Sequence, residues 1–153
     1  MSTSSESSTS PTSTNPTHPT AAQRAEFGRQ GRTRAGRGTL GDWTPRSGRP
    51  DPVATVRGQE VDRVQELLPI RHSRMAASPF AFYRGAAAVM ADDLGAAGGP
   101  SNSGIIVQLC GDAHLSNFGL FASPDRSLVF DINDFDETHI GPFEWDVARL
   151  AAS

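Results

Sequence analysis

Asp112 and Asn117 stand five residues apart in Cys110-Gly111-Asp112-Ala113-His114-Leu115-Ser116-Asn117. Asp131, Asp134, Asp136 and Glu137 then crowd the end of the run from Leu128 to Glu137. Carboxylate and amide oxygens of this kind suit hard divalent cations such as Mg2+ or Mn2+. A carboxylate beside such a cation can also orient an acceptor hydroxyl and take its proton, and phosphoryl transfer asks for little else from a protein. Acids gathered at neighbouring strand ends repel one another unless a cation binds between them, so the cluster as a whole reads as functional. Its members differ. Glu137 reads as solvated, His114 as a residue that orients the loop by hydrogen bonding, and Asp146 as a helix-start acid favourable to the dipole.

The elements that must position these residues can be traced in the pattern. Asp51-Pro52 reads as a helix start, and Val53, Val56, Val61, Val64, Leu67 and Leu68 continue it at mostly helical intervals, with Gly58 dividing it into two short helices. Ser78-Pro79 starts another, with Phe80, Tyr83, Ala87, Met90 and Leu94 on one face and Phe80, Phe82, Tyr83 and Met90 as core. Ala96 to Ser103 is a loop. Ile105 to Leu109 reads as a short buried strand, and Phe118 to Ala122 and Leu128 to Ile132 as two strands joined by the turn Ser123-Pro124-Asp125-Arg126. Pro142 to Ala152 closes the chain as a helix without a capping residue. The expected class is α+β.

Composition sets the limits. Met1 to Thr20 holds seven Ser, six Thr and three Pro and no aliphatic residue after Met1, too little apolar surface to offset the entropy of ordering. With the Arg- and Gly-rich stretch that follows, residues 1–42 read as a disordered tail and residues 43–153 as the foldable part. The chain lacks an apolar run of about 18 residues and a secretory pattern at its start, so a cytoplasmic protein with no membrane span is expected. Cys110 is the single cysteine, which excludes an internal disulfide, and its setting is that of a small buried residue before a turn. Net charge is −3, but seven Arg lie between Arg24 and Arg49, while Cys110 to Asp146 carries eight acids against Arg126 alone. All fourteen basic residues are Arg, so any phosphate contact falls to a guanidinium, with Arg71, Arg74 and Arg84 as candidates.

Cys110 to Asn117 resembles the catalytic loop H-G-D-x-H-x-x-N of the aminoglycoside phosphotransferase branch of the protein-kinase-like superfamily. Asp134-Phe135-Asp136 looks like that branch's metal-binding D-F/W-D, and Glu144-Trp145-Asp146-Val147-Ala148 like its later x-x-D-L-A helix. The span from about Trp43 to Ser153, with Ile70-Arg71-His72-Ser73-Arg74-Met75 and Ser78-Pro79-Phe80-Ala81-Phe82-Tyr83-Arg84-Gly85, more closely resembles the start of the longer bacterial domain of unknown function 2252. The resemblance implies a partial kinase-like catalytic region in which Asp112 orients or deprotonates the acceptor. Asn117 and Asp134 would hold Mg2+ or Mn2+, with Asp131 as rival, and Arg84 and His114 would lie toward ATP or another nucleotide. It also implies that activity needs sequence beyond Ser153. Two departures stand out. Cys110 replaces the first His of the loop motif, and about 60 foldable residues precede Gly111 without Lys or a G-x-G-x-x-G.

Three other readings remain. Gly111-Asp112-Ala113-His114 is similar to the G-D-x-H block of binuclear metallophosphatases, but such a site wants an earlier D-x-H and several later His ligands, and the chain offers only His18, His72, His114 and His139. Gly28 to Arg49 could hold nucleic acid through charge, yet Phe27 and Trp43 alone could stack on bases, which favours a solvated linker. An inactive fragment or pseudoenzyme is the third.

Overall fold

The computed structural model describes residues 18–96 and 102–153, and its architecture is α+β, with helices and two small antiparallel sheets. The first helix, α1 (Ala21–Arg34), occupies part of the segment expected to be a disordered tail, which corrects that expectation for these residues. Its start is a capping box: Gln23 N–H donates to Thr20 Oγ1 at 3.2 Å, and Thr20 N–H to Gln23 Oε1 at 2.7 Å. Ala, Arg, Gln and Glu are good helix formers, and their propensity outweighs Gly28 and Gly31. Gly31 is also a contact point, because a Cβ there would lie 3.1 Å from Ser103 Cβ, and Arg34 Nη2 donates to Ser103 O at 2.6 Å. Residues 1–17 of the expected tail and 97–101 of the expected loop lie outside the described residues.

Helix α2 (Pro52–Gly58) begins as expected, with the Asp51 carboxylate accepting from Val53 N–H at 3.3 Å. The second helix expected over Val61 to Leu68 is instead a set of turns followed by a short 3-10 helix, Gln65–Leu67, and α3 (Leu68–Met75) starts later, with Pro69 in its first turn. Proline is tolerated where N–H groups are unbonded anyway and not in a helix interior, so Pro69 fixes the start that apolar spacing misplaced. The single helix expected from Ser78 to Leu94 is two, α4 (Pro79–Gly85) and α5 (Ala87–Gly95), broken at Ala86 with φ −121° and ψ 38°. Gly85 has a packing reason: a Cβ would stand 2.7 Å from Met75 Cγ, where α4 crosses α3. Val56, Met75 and Ala86, with Val89 against them, form the helical core. Phe80 and Phe82, expected in that core, lie outside it and are partly exposed, at 36% and 40%.

Strands β1 (Ile106–Leu109) and β4 (His139–Pro142) pair antiparallel, Ile106 opposite Pro142 and Leu109 opposite His139. Strands β2 (Phe118–Ala122) and β3 (Leu128–Ile132) form the expected hairpin, Phe118 opposite Ile132. Strand β4 takes Pro142, so the last helix, α6 (Glu144–Ala152), starts two residues later than expected. Strand β1 is not the buried strand expected, since Leu109 alone is buried along it. Among the described residues no helix is long and apolar enough to cross a membrane.

Much apolar surface stays open on both sheets: Leu128 is 73% and Ile140 74% exposed. Two-stranded sheets are marginal without a packed layer, and large exposed apolar patches invite association. The purified chain is expected to bind a hydrophobic dye and to melt early over a broad range. A sharp transition in a monomeric sample that leaves the dye dark would refute this.

Candidate functional site

The loop from Cys110 to Asn117 leaves β1 in a sharp turn that only glycine tolerates: Gly111 has φ +86°, and a Cβ there would fall 1.9 Å from Glu137 O. Helix α6 holds this turn from beneath. The Asp146 carboxylate accepts from Cys110 N–H through Oδ2 at 2.8 Å and from Gly111 N–H through Oδ1 at 3.1 Å. Asp146 therefore acts structurally, as its place near a helix start suggested. A short 3-10 turn, Leu115–Asn117, completes the loop, with Asn117 N–H donating to His114 O at 2.8 Å.

Asn117 is buried and ties the loop to the end of β3, since its Nδ2 donates to Asp112 O and to Asp134 O, each at 3.1 Å. Its side-chain hydrogen bonds among the described residues all run from Nδ2, which leaves Oδ1 uncommitted on a residue that lines the cavity. Asp134 is exposed, with Oδ1 accepting from Asp136 N–H at 3.1 Å. Cys110 is buried between these groups, its Sγ 3.6 Å from Asp134 O. Burial, ahead of the surrounding carboxylates, pushes its thiol above the ordinary range, as suits an unreactive packing residue.

Asp112 is held on one side. Arg149, only 3% exposed, places Nε 2.7 Å and Nη2 2.6 Å from Asp112 Oδ1, and the same Nη2 donates to Tyr83 O at 2.7 Å. The Tyr83 ring lies 4.0 Å below the guanidinium, and its hydroxyl donates to Arg149 O at 2.6 Å, so Tyr83 and Arg149 fix each other. The second oxygen, Asp112 Oδ2, faces His114 Nε2 at 3.5 Å. His114 is buried edge-on to Phe80, and among the described residues its Nδ1 lacks a partner.

Asp112, Asn117 and Asp134 line one cavity of about 140 Å3, together with Arg63, Arg71, Arg84, Asp136 and Glu137. It shares Arg63, Arg71, Arg84, Asp112 and Asp134 with a wider cavity of about 940 Å3, which His114 also lines. Asp131 lines neither: it pairs with Gly119 across the hairpin, and its Oδ1 accepts from Ile132 N–H at 2.8 Å. Among the described residues no three His, Cys, Asp or Glu side chains converge as a metal cluster. The donors on hand, Asp134 and Asn117 Oδ1, fit a hard cation shared with a phosphate, since Mg2+ commonly takes one or two protein oxygens and fills its octahedron with phosphate and water.

A family match covers residues 63–153, more than half of the chain and every residue just named; its description is an uncharacterized protein conserved in bacteria (DUF2252). The chain belongs to this family. No curated protein and no solved structure matches it. The DUF2252 span takes in every charged residue of the cavity wall and leaves Gln59, α1 and α2 outside, so both the acidic and the basic side of the site come from family sequence.

Within the DUF2252 span, sequence reading missed Arg149 and Arg63. Asp146 and Arg149 lie three residues apart on one helix, hence on one face, and both reach the same loop. That spacing is the signal that could have found Arg149. Arg63 carries no local signal, because it sits in an irregular turn.

His114 gives a pH dependence. Burial first, then Arg84 and Arg149, push its pKa below the ordinary 6.5, and Asp112 opposes them. With the folded value depressed, its contribution to stability is complete above about pH 6.5 and is lost as pH falls below that, where the unfolded chain takes up a proton the folded one refuses. Melting temperature should therefore fall between pH 7 and pH 5, and fall less in His114→Gln. Equal slopes in the two proteins would remove His114 as the cause.

Proposed function

We propose that this protein carries out divalent-metal-dependent transfer of a phosphoryl group from a nucleotide to an acceptor hydroxyl. The observation that supports this most is the convergence of Asp112, Asn117 and Asp134, from two separate segments, on one cavity that arginines also line. The likeness of their motifs to those of kinase-like phosphotransferases points the same way. In this reading Asn117 and Asp134 hold Mg2+ or Mn2+, which would neutralise charge on the phosphates. Arg149 occupies Asp112 Oδ1 and leaves Oδ2 to orient the acceptor. The acceptor oxygen forms its bond to the terminal phosphorus as the bridging P–O bond breaks, the electron pair leaves with the nucleoside diphosphate, and the hydroxyl proton passes to Asp112 Oδ2. His114 acts through Asp112, and Arg84 faces the nucleotide.

The test is paired. Mn2+ binding, followed by electron paramagnetic resonance, should be weak in the wild type and at least tenfold weaker in Asp134→Asn. Asp131→Asn should match the wild type. Transfer of label from γ-labelled ATP to a panel of hydroxyl acceptors should need the metal and be lost in Asp134→Asn. Equal Mn2+ affinity in all three proteins would remove the site, and nucleotide-independent hydrolysis of a generic phosphomonoester would favour a phosphoesterase instead.

A further inference from the structure

Arg63, Arg71 and Arg84 come from three different segments, the turns after α2, helix α3 and helix α4, and meet on one wall of the 140 Å3 cavity. Among the described residues none of the three makes an ion pair, although Asp112, Asp134, Asp136 and Glu137 line the same space. Opposite charges this close ordinarily collapse into salt bridges. Here they are held apart. Arg71 is pinned by donating Nη2 to Gly85 O at 2.6 Å, and its Nε is buried without a partner. Burial and the neighbouring Arg63 push the Arg71 pKa down, so this wall repels itself as it stands.

We infer that Arg63, Arg71 and Arg84 form a subsite for the diphosphate group of a ligand, bound together with a divalent cation. Guanidinium forks match phosphate oxygens two at a time, and three forks offer more donors than one carboxylate or one phosphate can use. The facing carboxylates would repel a bare anion, so the ligand must bring positive charge to that side, which a metal bridging two phosphates supplies. The cavity is small against the ~300–1,000 Å3 usual for organic ligands, so it takes the charged end only. The remainder would lie in the adjoining 940 Å3 cavity over Val64, Leu67 and Ile70. Equating this diphosphate with that of a nucleotide rests on the phosphoryl-transfer reading; the anion subsite does not.

Calorimetry of the full chain with inorganic pyrophosphate, with and without Mg2+, tests the subsite. Arg63 and Arg84 make no side-chain hydrogen bond within the described fold, so Arg63→Gln/Arg84→Gln should keep the wild-type circular dichroism and melting temperature. The expected result is Mg2+-enhanced, salt-sensitive binding of pyrophosphate, weakened at least tenfold in the double variant, while Mn2+ affinity in the absence of phosphate is unchanged. Arg71→Lys, which keeps the charge and loses the fork, should fall between. Pyrophosphate binding equal in wild type and double variant, or absent from the wild type with Mg2+, would overturn the subsite. Pyrophosphate binding with the expected arginine dependence, but no transfer from ATP, would uphold the subsite and reject the phosphoryl-transfer reading. Transfer with an unchanged KM for ATP in the double variant would do the reverse.

Discussion

Asp112→Asn is expected to lower phosphoryl transfer by about 10²- to 10⁴-fold while leaving metal binding and folding close to the wild type. The asparagine is chosen because Arg149 is buried, donates Nε–H to Asp112 Oδ1 and keeps Nη2 2.6 Å from the same oxygen. An amide oxygen can still accept that bond, whereas it cannot take the acceptor's proton. Asp112→Ala should remove transfer just as completely, but it would also strand a buried guanidinium, which costs roughly 3–5 kcal/mol. The two variants thus separate chemistry from stability. Loss of transfer in both with loss of melting temperature only in Asp112→Ala is the predicted pattern, read by labelled-phosphate transfer and thermal denaturation. Because a base acts in the transition state, nucleotide binding should change little in Asp112→Asn. Should Asp112→Asn leave transfer untouched, the Arg149–Asp112 pair would be scaffolding and another group would take the acceptor's proton.

The parts of the fold legible in the sequence were those marked by local chemistry. Asp51-Pro52 and Ser78-Pro79 are helix starts whose caps form as read, and the hairpin over Phe118 to Ile132 follows from two β-rich runs with a turn between them. What escaped was set by contacts across the chain. Strand β4 is His-Ile-Gly-Pro, with no strand pattern of its own, and it exists because β1 supplies its partner. The division between α4 and α5 falls at Ala86, beside Gly85, whose lack of a Cβ makes room for Met75 of another helix. In α1 the Arg/Gly composition suggested a solvated tail, but Thr20 and Gln23 cap a helix whose Gly31 packs against Ser103.

The site divides in the same way. Asp112, Asn117 and Asp134 were legible because loop spacing and a strand end bring their types together, and they do line one cavity. Asp131 belonged to the same acidic run, yet the hairpin register pairs it with Gly119, away from that cavity. Arg149 was marked only by its three-residue spacing from Asp146 on one helix, with nothing local to name its partner 37 residues away, and Arg63 by no pattern at all, since its wall is built from three segments.

Gly111→Ala is expected to be the most damaging single substitution in the chain. The new Cβ would meet Glu137 O at 1.9 Å and Glu137 C at 2.6 Å, both backbone atoms, so no rotamer change can relieve the overlap. The φ of +86° adds roughly 1–2 kcal/mol for any residue with a Cβ. Either the segment at Glu137 moves, taking Asp134 and Asp136 with it, or the loop lifts off Asp146 and loses the bonds from Cys110 N–H and Gly111 N–H. Both routes dismantle the cavity. A cost above about 4 kcal/mol is expected, which for a domain whose buried hydrophobic residues are Val56, Met75, Ala86, Leu109, Cys110 and Ala113 is a large share of the ordinary 5–15 kcal/mol. Gly104→Ala is the control: its φ is +77°, but its Cβ would touch only the movable end of Arg34, 3.4 Å away, so it should lose about 1–2 kcal/mol from the backbone alone. Denaturant titration of both variants gives the comparison. If Gly111→Ala unfolds at the same midpoint as Gly104→Ala, the approach of Glu137 is not what holds the loop from Cys110 to Asn117, and Asp146 and Arg149 must position Asp112 without it.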